Sequence, residues 1–457
     1  MKRIIICAAV AAVTLSSCGL YSKYEGTTSV DKAIYGGVAE ERENGATLGD
    51  IEWSDLFTDT QLRSYIAEAL ESNSDLKMAK LRVEQSEASL VSSRLAYLPS
   101  VNFAPQGSLS GLVESGSSVY KSYTLPIAAS WEVDLFGRIT NTKLRTKMLY
   151  EQQQYVEQAT RTEIVAAVAN VYYTIAMLEE QLAISRSTEQ SWEESYRTAK
   201  AMMDAGMMNQ TGVSQIEAAL YSVKISVAKL EDELTTINNT MCSLLGISPT
   251  KIVVGSLTDS SVPEDIMVGV PLQMLSSRPD VMAAESALAA SFYSKNIARS
   301  ALYPSLSLTG SLGWSNSFGS IVLDPADFIY SVVGQLVQPL FNRGLTRAQI
   351  KVAKADLEIA RISFEQKLLD AGIEVNNSLR ALQVASSNSS LYVDQVAAMR
   401  LAADQSLLMM ENGSVTYLDV LTSQQSYYNS QLGEVSNRFE ELQSLVSLYK
   451  SLGGGRF

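Results

Sequence analysis

The sequence predicts an internally duplicated, mixed α+β fold of very long coiled-coil helices and four β-strands of membrane-spanning length. Three observations carry this. The chain matches itself at a fixed offset, two helical runs far exceed globular lengths, and short alternating segments follow a Pro-Ser break in each copy.

The repeat comes first because it sets the organisation. Leu70, Asp75 and Ala79 recur as Leu275, Asp280 and Ala284, an offset of 205. Tyr97 to Val101 recurs as Leu302 to Leu306, and Phe136-Gly137-Arg138 pairs with Phe341-Asn342-Arg343. The seam Val227, Leu230, Leu234, Ile237, Met241, Leu244 matches Leu432, Val435, Phe439, Leu442, Val446, Tyr449 at the same offset. Gly206 and Gly413, read as equivalent turn residues, are 207 apart, so a two-residue slip is expected at that turn. The first repeat spans 54–254 and the second 272–452. Between them, 255–271 has a linker's Ser, Pro, Gly and Asp content, and 453–457 form a tail.

Each copy opens with a short helix, about 75–97 and 280–302, stopped by the Pro that follows. Strands come next, at about 99–113 and 122–136, then about 304–315 and 328–340. Leu306, Leu308, Leu312 and Trp314 alternate with Ser305, Ser307, Thr309, Ser311 and Ser315, one apolar and one small polar face. Leu125, Ile127, Ala129, Trp131 and Val133 alternate likewise, while Pro105 interrupts the first strand. Runs of about 10 residues suit a tilted transmembrane strand; a soluble hairpin is the alternative.

The long helices follow. Arg138 to Asp204 contains neither Pro nor Gly, and Arg343 to Met410 contains no Pro and, besides Gly344 at its start, only Gly372. Helices of ~100 Å at ~1.5 Å per residue need partners along their length. Ile164, Val168, Val171, Ile175, Leu178 and Leu182 step 4-3-4-3-4, a heptad seam.

At the start of the chain, Lys2 and Arg3 precede an apolar run from Ile4 to Leu15, shorter than the ~20 residues of a spanning helix. The run closes on Leu15-Ser16-Ser17-Cys18, which resembles the lipobox of bacterial lipoproteins. That implies a signal peptide over 1–17, a covalent lipid on Cys18 and a lipidated linker over 18–53. Cys7 leaves with the signal, so only Cys242 remains and no intrachain disulfide is expected.

Composition excludes several classes. Net charge is −13, which opposes nucleic-acid binding. There is no histidine, so the commonest general base and metal ligand are missing. No nucleotide-binding, nucleophile-elbow or metalloprotease motif is present, and no enzyme activity, metal site or cofactor is expected. No later segment has 18 consecutive apolar residues, so any membrane crossing falls to the strands. Four strands cannot close a membrane barrel, for which about eight is the minimum, and open edges are forbidden in lipid. Membrane insertion therefore requires several chains to share one barrel.

The chain resembles the TolC-like outer-membrane factors, in the lipoprotein branch serving RND-type drug-efflux pumps. The resemblance rests on the lipobox, Leu98-Pro99-Ser100, Trp131-Glu132-Val133-Asp134-Leu135-Phe136-Gly137-Arg138, Ser277-Arg278-Pro279-Asp280-Val281, Ala284-Glu285, Ala205-Gly206, Tyr417-Leu418-Asp419-Val420-Leu421 and Leu452-Gly453-Gly454-Gly455. It implies a homotrimer with a twelve-stranded barrel in the outer membrane and a twelve-helix tunnel through the periplasm. Such a trimer is a passive, gated conduit for drugs or other small toxic compounds, partnered by a periplasmic adaptor and an inner-membrane RND-type transporter. The tips Gly206, Met207, Met208 and Gly413, Ser414, Val415 are the implied adaptor-docking sites.

Asp419 matches the family acid that rings the periplasmic mouth, where three carboxylates repel one another and attract cations. A helix first-turn acid is the plain alternative for it. The family's second acid is Thr422 here. Its usual Tyr before the second tip is Met410, and its usual Arg after the tip is Val415, so its polar latch is in doubt. Met202, Met203, Met207, Met208, Met409 and Met410 surround the tips, as soft-metal ligands or as adaptable apolar packing. A duct for type I protein secretion or metal-ion efflux shares this architecture, and a pore-less coiled-coil scaffold lipoprotein is the remaining alternative.

Overall fold

The computed structural model describes residues 23–26, 52–110, 120–257, 278–316 and 328–454. Cys18 and the last glycine, Gly455, lie outside them. The element order is α1 (Trp53–Leu56), α2 (Thr60–Ser72), α3 (Ser74–Leu95), β1 (Ser100–Phe103), β2 (Gln106–Ser110), β3 (Tyr120–Val133), α4 (Arg138–Asp204), α5 (Gln210–Leu245), α6 (Pro279–Ser300), β4 (Ser305–Asn316), β5 (Phe328–Val337), α7 (Leu345–Glu411) and α8 (Tyr417–Ser451). The chain divides into two compact units, one of them drawn mainly from 81–154 and 283–366 and the other from 155–282 and 367–457. No helix among the described residues is long and apolar enough to cross a membrane.

The first unit holds an antiparallel sheet ordered β1-β3-β4-β5, with β2 also on β3. The expected first strand is split at Ala104-Pro105 into β1 and β2, both paired to β3. Opposite that break Pro126 sits inside β3 and faces Gly313. A Cβ on Gly313 would lie 2.2 Å from the Leu125 carbonyl oxygen, so only glycine fits there.

Register makes one face apolar from Leu125 to Val133, with Lys121 and Asn316 at its end. Leu125, Ile127, Trp131 and Val133 stand opposite Trp314, Leu312, Leu308 and Leu306. Those in turn oppose Phe328, Tyr330, Gly334 and Leu336. Val101 and Phe103 continue the face on β1. The other face carries Ser122, Thr124, Ser130, Ser307, Thr309, Ser311 and Ser331, joined on β5 by Ile329, Val333 and Val337. Among the described residues nothing packs over the apolar face on β5, where Tyr330 is 82% and Val332 78% exposed.

The junction from sheet to long helix explains one sequence motif. Trp131 donates its indole N–H to the Tyr97 carbonyl at 2.9 Å. Glu132 pairs with Arg138. Asp134 accepts from the Ile139 and Thr140 amides at 3.0 and 2.8 Å, capping α4. Gly137 has φ +69°, which glycine alone adopts without strain. In the second copy, Gln338 donates to the Leu302 carbonyl at 2.9 Å, and Gly344 takes φ +82°.

These landmarks correct the repeat register. Tyr97 and Leu302 are 205 apart, but Trp131 and Gln338, Gly137 and Gly344, and both helix starts are 207 apart. The two extra residues therefore enter between the first helix and the end of the strands, and not at the tip turn as expected. Gly137 pairs with Gly344, so Phe136-Gly137-Arg138 does not correspond to Phe341-Asn342-Arg343. The far helix ends, at Gly246 and Gly453, are also 207 apart, so the later seam pairing at 205 is two residues out.

The second unit is made of helical hairpins. Helices α4 and α7 are each 67 residues long. On α4, Ile164, Val168, Ile175, Leu178 and Leu182 are buried as the heptad seam predicts, while Val171 of the same seam is half-buried. The sequence reading missed α2. Asp59 caps it by accepting from the Gln61 amide at 2.8 Å, and Leu62, Ile66 and Ala69 are fully buried along one side. The start of the expected linker is anchored: the Gly255 amide donates to the Tyr172 hydroxyl at 2.7 Å, and Ile252 and Leu257 are buried.

Candidate functional site

The two tip turns are the same structure built twice. After α4, the Gly206 amide donates to the Met203 carbonyl at 2.9 Å and the Met207 amide to the Met202 carbonyl at 2.8 Å. After α7, the Gly413 amide donates to Met410 and the Ser414 amide to Met409, both at 2.9 Å. Both are Schellman turns, which satisfy the last helical carbonyls through a left-handed residue. Gly206 and Gly413 supply it, with φ +72° and +68°. A Cβ added at either glycine would meet no heavy atom within 4 Å, so the tips stand clear of neighbouring structure.

The tip methionines divide into two sets. Met207 is 74% exposed. Met203 and Met208 pack against a core of Trp192, Ala199, Val213, Ile216, Leu220, Val223 and Leu421. Packing is the reading this placement favours for those two. Among the described residues no cluster of Cys, Asp and Glu that could hold a metal is found.

Asp419 lies in the first turn of α8. Its carboxylate accepts from the Thr416 amide at 2.8 Å and the Thr416 hydroxyl at 2.6 Å. These bonds hold its pKa below the ordinary carboxylate value. The plain alternative for Asp419 is thus realised as a capping box. The side chain remains exposed, as do Leu418 and Thr422, whose hydroxyl donates to the Leu418 carbonyl at 2.9 Å. Ser414 is exposed and Val415 half-buried.

Sequence reasoning assigned no role to a second constellation, although it quoted Arg278, Asp280 and the closing glycines from it. Arg278 is buried and reaches Asp280 through two bonds of 3.0 and 2.8 Å. It also reaches Glu374 at 2.7 Å and the Ser451 carbonyl at 2.8 Å, near the end of α8. Lys367 adds a second cation to Asp280 at 2.9 Å. Burial alone would raise the Asp280 pKa, but the hydrogen bond and charge of Arg278, then those of Lys367, outweigh it and hold it at about 2. Gly453, φ +73°, turns directly against Arg278 and Pro279, where a Cβ would approach to 3.3 Å. The Thr162 hydroxyl then donates to the Gly454 carbonyl at 2.6 Å. Arg-Pro-Asp and the closing glycines are two halves of one lock.

A sheet with an uncovered apolar face, joined through glycine turns to long heptad-paired helices, defines an export duct of the outer-membrane type. The comparisons agree. The outer membrane efflux protein model matches residues 65–247 and 270–454, and the chain belongs to that family. The cation efflux system protein CusC of Escherichia coli (strain K12) is 26% identical over 450 residues, covering 97% of this chain and 98% of that protein. The antibiotic efflux pump outer membrane protein ArpC of Pseudomonas putida is 27% identical over 470 residues, covering 100% and 96%. Among solved structures, the outer-membrane channel OprN superposes with a TM-score of 0.86 at 25% identity, covering 95% of this chain and 99% of that one. A crystal structure of CusC gives 0.80 at 26%, covering 91% and 99%. The chain is an efflux protein of the outer membrane.

Proposed function

We propose that this protein is the exit duct of a tripartite pump. In this reading three copies share a twelve-stranded barrel, the long helices form a periplasmic tunnel, and the tips at Gly206–Met208 and Gly413–Val415 dock a periplasmic adaptor, with an inner-membrane RND-type transporter supplying the energy. Cys18 carries the lipid anchor. The observation that supports this best is the four-strand width of the sheet, apolar on one face and mostly small and polar on the other until β5, with an edge on each side unpaired among the described residues. Asp419, exposed on the first turn of α8, is the proposed mouth acid, and Thr422 stands where a second ring would be. The cargo is drugs or other small toxic compounds.

A second cargo is supported by the relatives, since CusC is named for cation efflux. The test is gene deletion followed by susceptibility to antibiotics, detergents, copper and silver, with conductance of the purified protein in planar bilayers. Sensitivity to organic toxicants with unchanged metal tolerance supports the drug reading, and the reverse supports the metal reading. An unchanged profile together with no conductance rejects the duct.

A further inference from the structure

We propose that Tyr417 and Leu421 are positioning residues that seat the first turn of α8 on the α4–α5 hairpin, and that tip contact reaches Asp419 through this seat. The inference rests on the reading of Asp419 as the mouth acid and adds what holds it in place.

Helical spacing divides this turn into two faces. Tyr417, Val420 and Leu421 stand at i, i+3 and i+4 on one of them. Leu418, Asp419 and Thr422 stand on the other, and all three are exposed. The first face is embedded. Val420 is fully buried, and Leu421 belongs to the core with Trp192 and Ala199 of α4 and Val213, Ile216, Leu220 and Val223 of α5. Tyr417 packs against the same core. The anchor and the acid therefore share one turn but point in different directions.

Asp419 has little freedom of its own. Both bonds to Thr416 fall on one carboxylate oxygen, tying the side chain to the residue before Tyr417. The carboxylate moves with its turn, and the turn is fixed by what Tyr417 and Leu421 touch. That core also receives Met203 and Met208 from either side of the Gly206 turn, while Met207 between them projects into solvent. A partner that grips Met207 pulls on the backbone carrying Met208, and Met208 bears on the seat of the gate turn. The tyrosine and arginine of the family's polar latch are Met410 and Val415 here. The seat at Tyr417 and Leu421, apolar apart from the hydrogen bond between the Tyr417 and Ser195 side chains, stands in their place.

The test uses the full-length protein in planar bilayers without partners, recording resting conductance and the reversal potential across a KCl gradient. Tyr417→Ala and Leu421→Ala should raise resting conductance at least threefold and keep the wild-type reversal potential, because Asp419 is intact. Tyr417→Phe keeps the ring and loses only the hydrogen bond to Ser195, so its rise should be smaller than that of Tyr417→Ala. Met208→Ala should give a smaller rise in the same direction. Asp419→Ala should shift the reversal potential. A folded Tyr417→Ala channel with wild-type conductance, beside an Asp419→Ala channel of altered selectivity, overturns this inference and leaves the mouth acid standing. A silent Asp419→Ala overturns the mouth acid itself. If Tyr417→Ala does not assemble, Leu421→Ala decides: wild-type conductance there overturns the seat. A silent Met208→Ala overturns the link to the tip.

Discussion

Arg278 shows how much one residue organises here. Its guanidinium is buried, and its donors are divided between two carboxylates and the Ser451 carbonyl. Without the guanidinium, Asp280 keeps Lys367 and Glu374 is half exposed, but the carbonyl of buried Ser451 loses this donor. Arg278→Met should therefore destabilise the fold by about 1–3 kcal/mol, read as an earlier urea midpoint for the solubilised protein. A change below about 0.5 kcal/mol would mean the network is ornamental. Asp280 gives the same cluster a pH dependence. Its folded pKa of about 2 lies below the ordinary 3.8, so its contribution is complete above pH 3.8 and is lost as pH falls from there towards 2. The amount is roughly 2 kcal/mol, and Asp280→Asn should flatten that part of the stability profile. Arg278, Asp280 and the closing glycines of this lock were visible in the sequence as motifs, whereas Glu374, Lys367 and Ser451 were not. Their joint role was not visible, because Arg278 and Ser451 are 173 residues apart and nothing local links them.

At the scale of elements, the sequence was most legible where a period repeats many times. The long helices have the expected bounds within two residues, since Pro and Gly are nearly absent and the seam is continuous. The strands were legible as alternation, but Pro105 broke one into two pieces and the pairing partners followed only from register. The short α2 was missed because its apolar positions, Leu62, Ile66 and Ala69, span only two turns. The repeat register went wrong because heptad seams resemble themselves after small shifts, whereas a glycine with positive φ marks a single place. The sheet also yields a sharp contrast. Leu312 lies on the apolar face and Ser311 beside it on the polar face. If the apolar face meets lipid, Leu312→Arg should cost ~2–4 kcal/mol while Ser311→Arg faces water. The measurement is the yield of outer-membrane-inserted, heat-modifiable protein. Equal yields from both variants would reject lipid contact for this face.

For the whole molecule, the edges decide what a single chain can do. β5 is 10 residues long, and among the described residues it is paired only to β4, and β1 and β2 only to β3. About half of the backbone groups along such an edge point away from their one partner. In hydrocarbon each unsatisfied group costs several kcal/mol, so two open edges exceed the ~5–15 kcal/mol that stabilises an ordinary domain. A lone chain with an intact sheet in lipid is therefore not a stable species. The proposed trimer removes both edges at once by pairing β5 of each copy with β1 and β2 of the next. It follows that association and sheet formation are one event. In detergent or lipid nanodiscs, light scattering should give three chains per particle, and warming should abolish the trimer mass and the strand circular dichroism in a single coincident transition. The helical signal is free to follow later, because the hairpins of the second unit have their own buried seams. A monomeric particle that keeps its strand signal would show that the edges are satisfied within one chain, and the shared barrel would have to be abandoned.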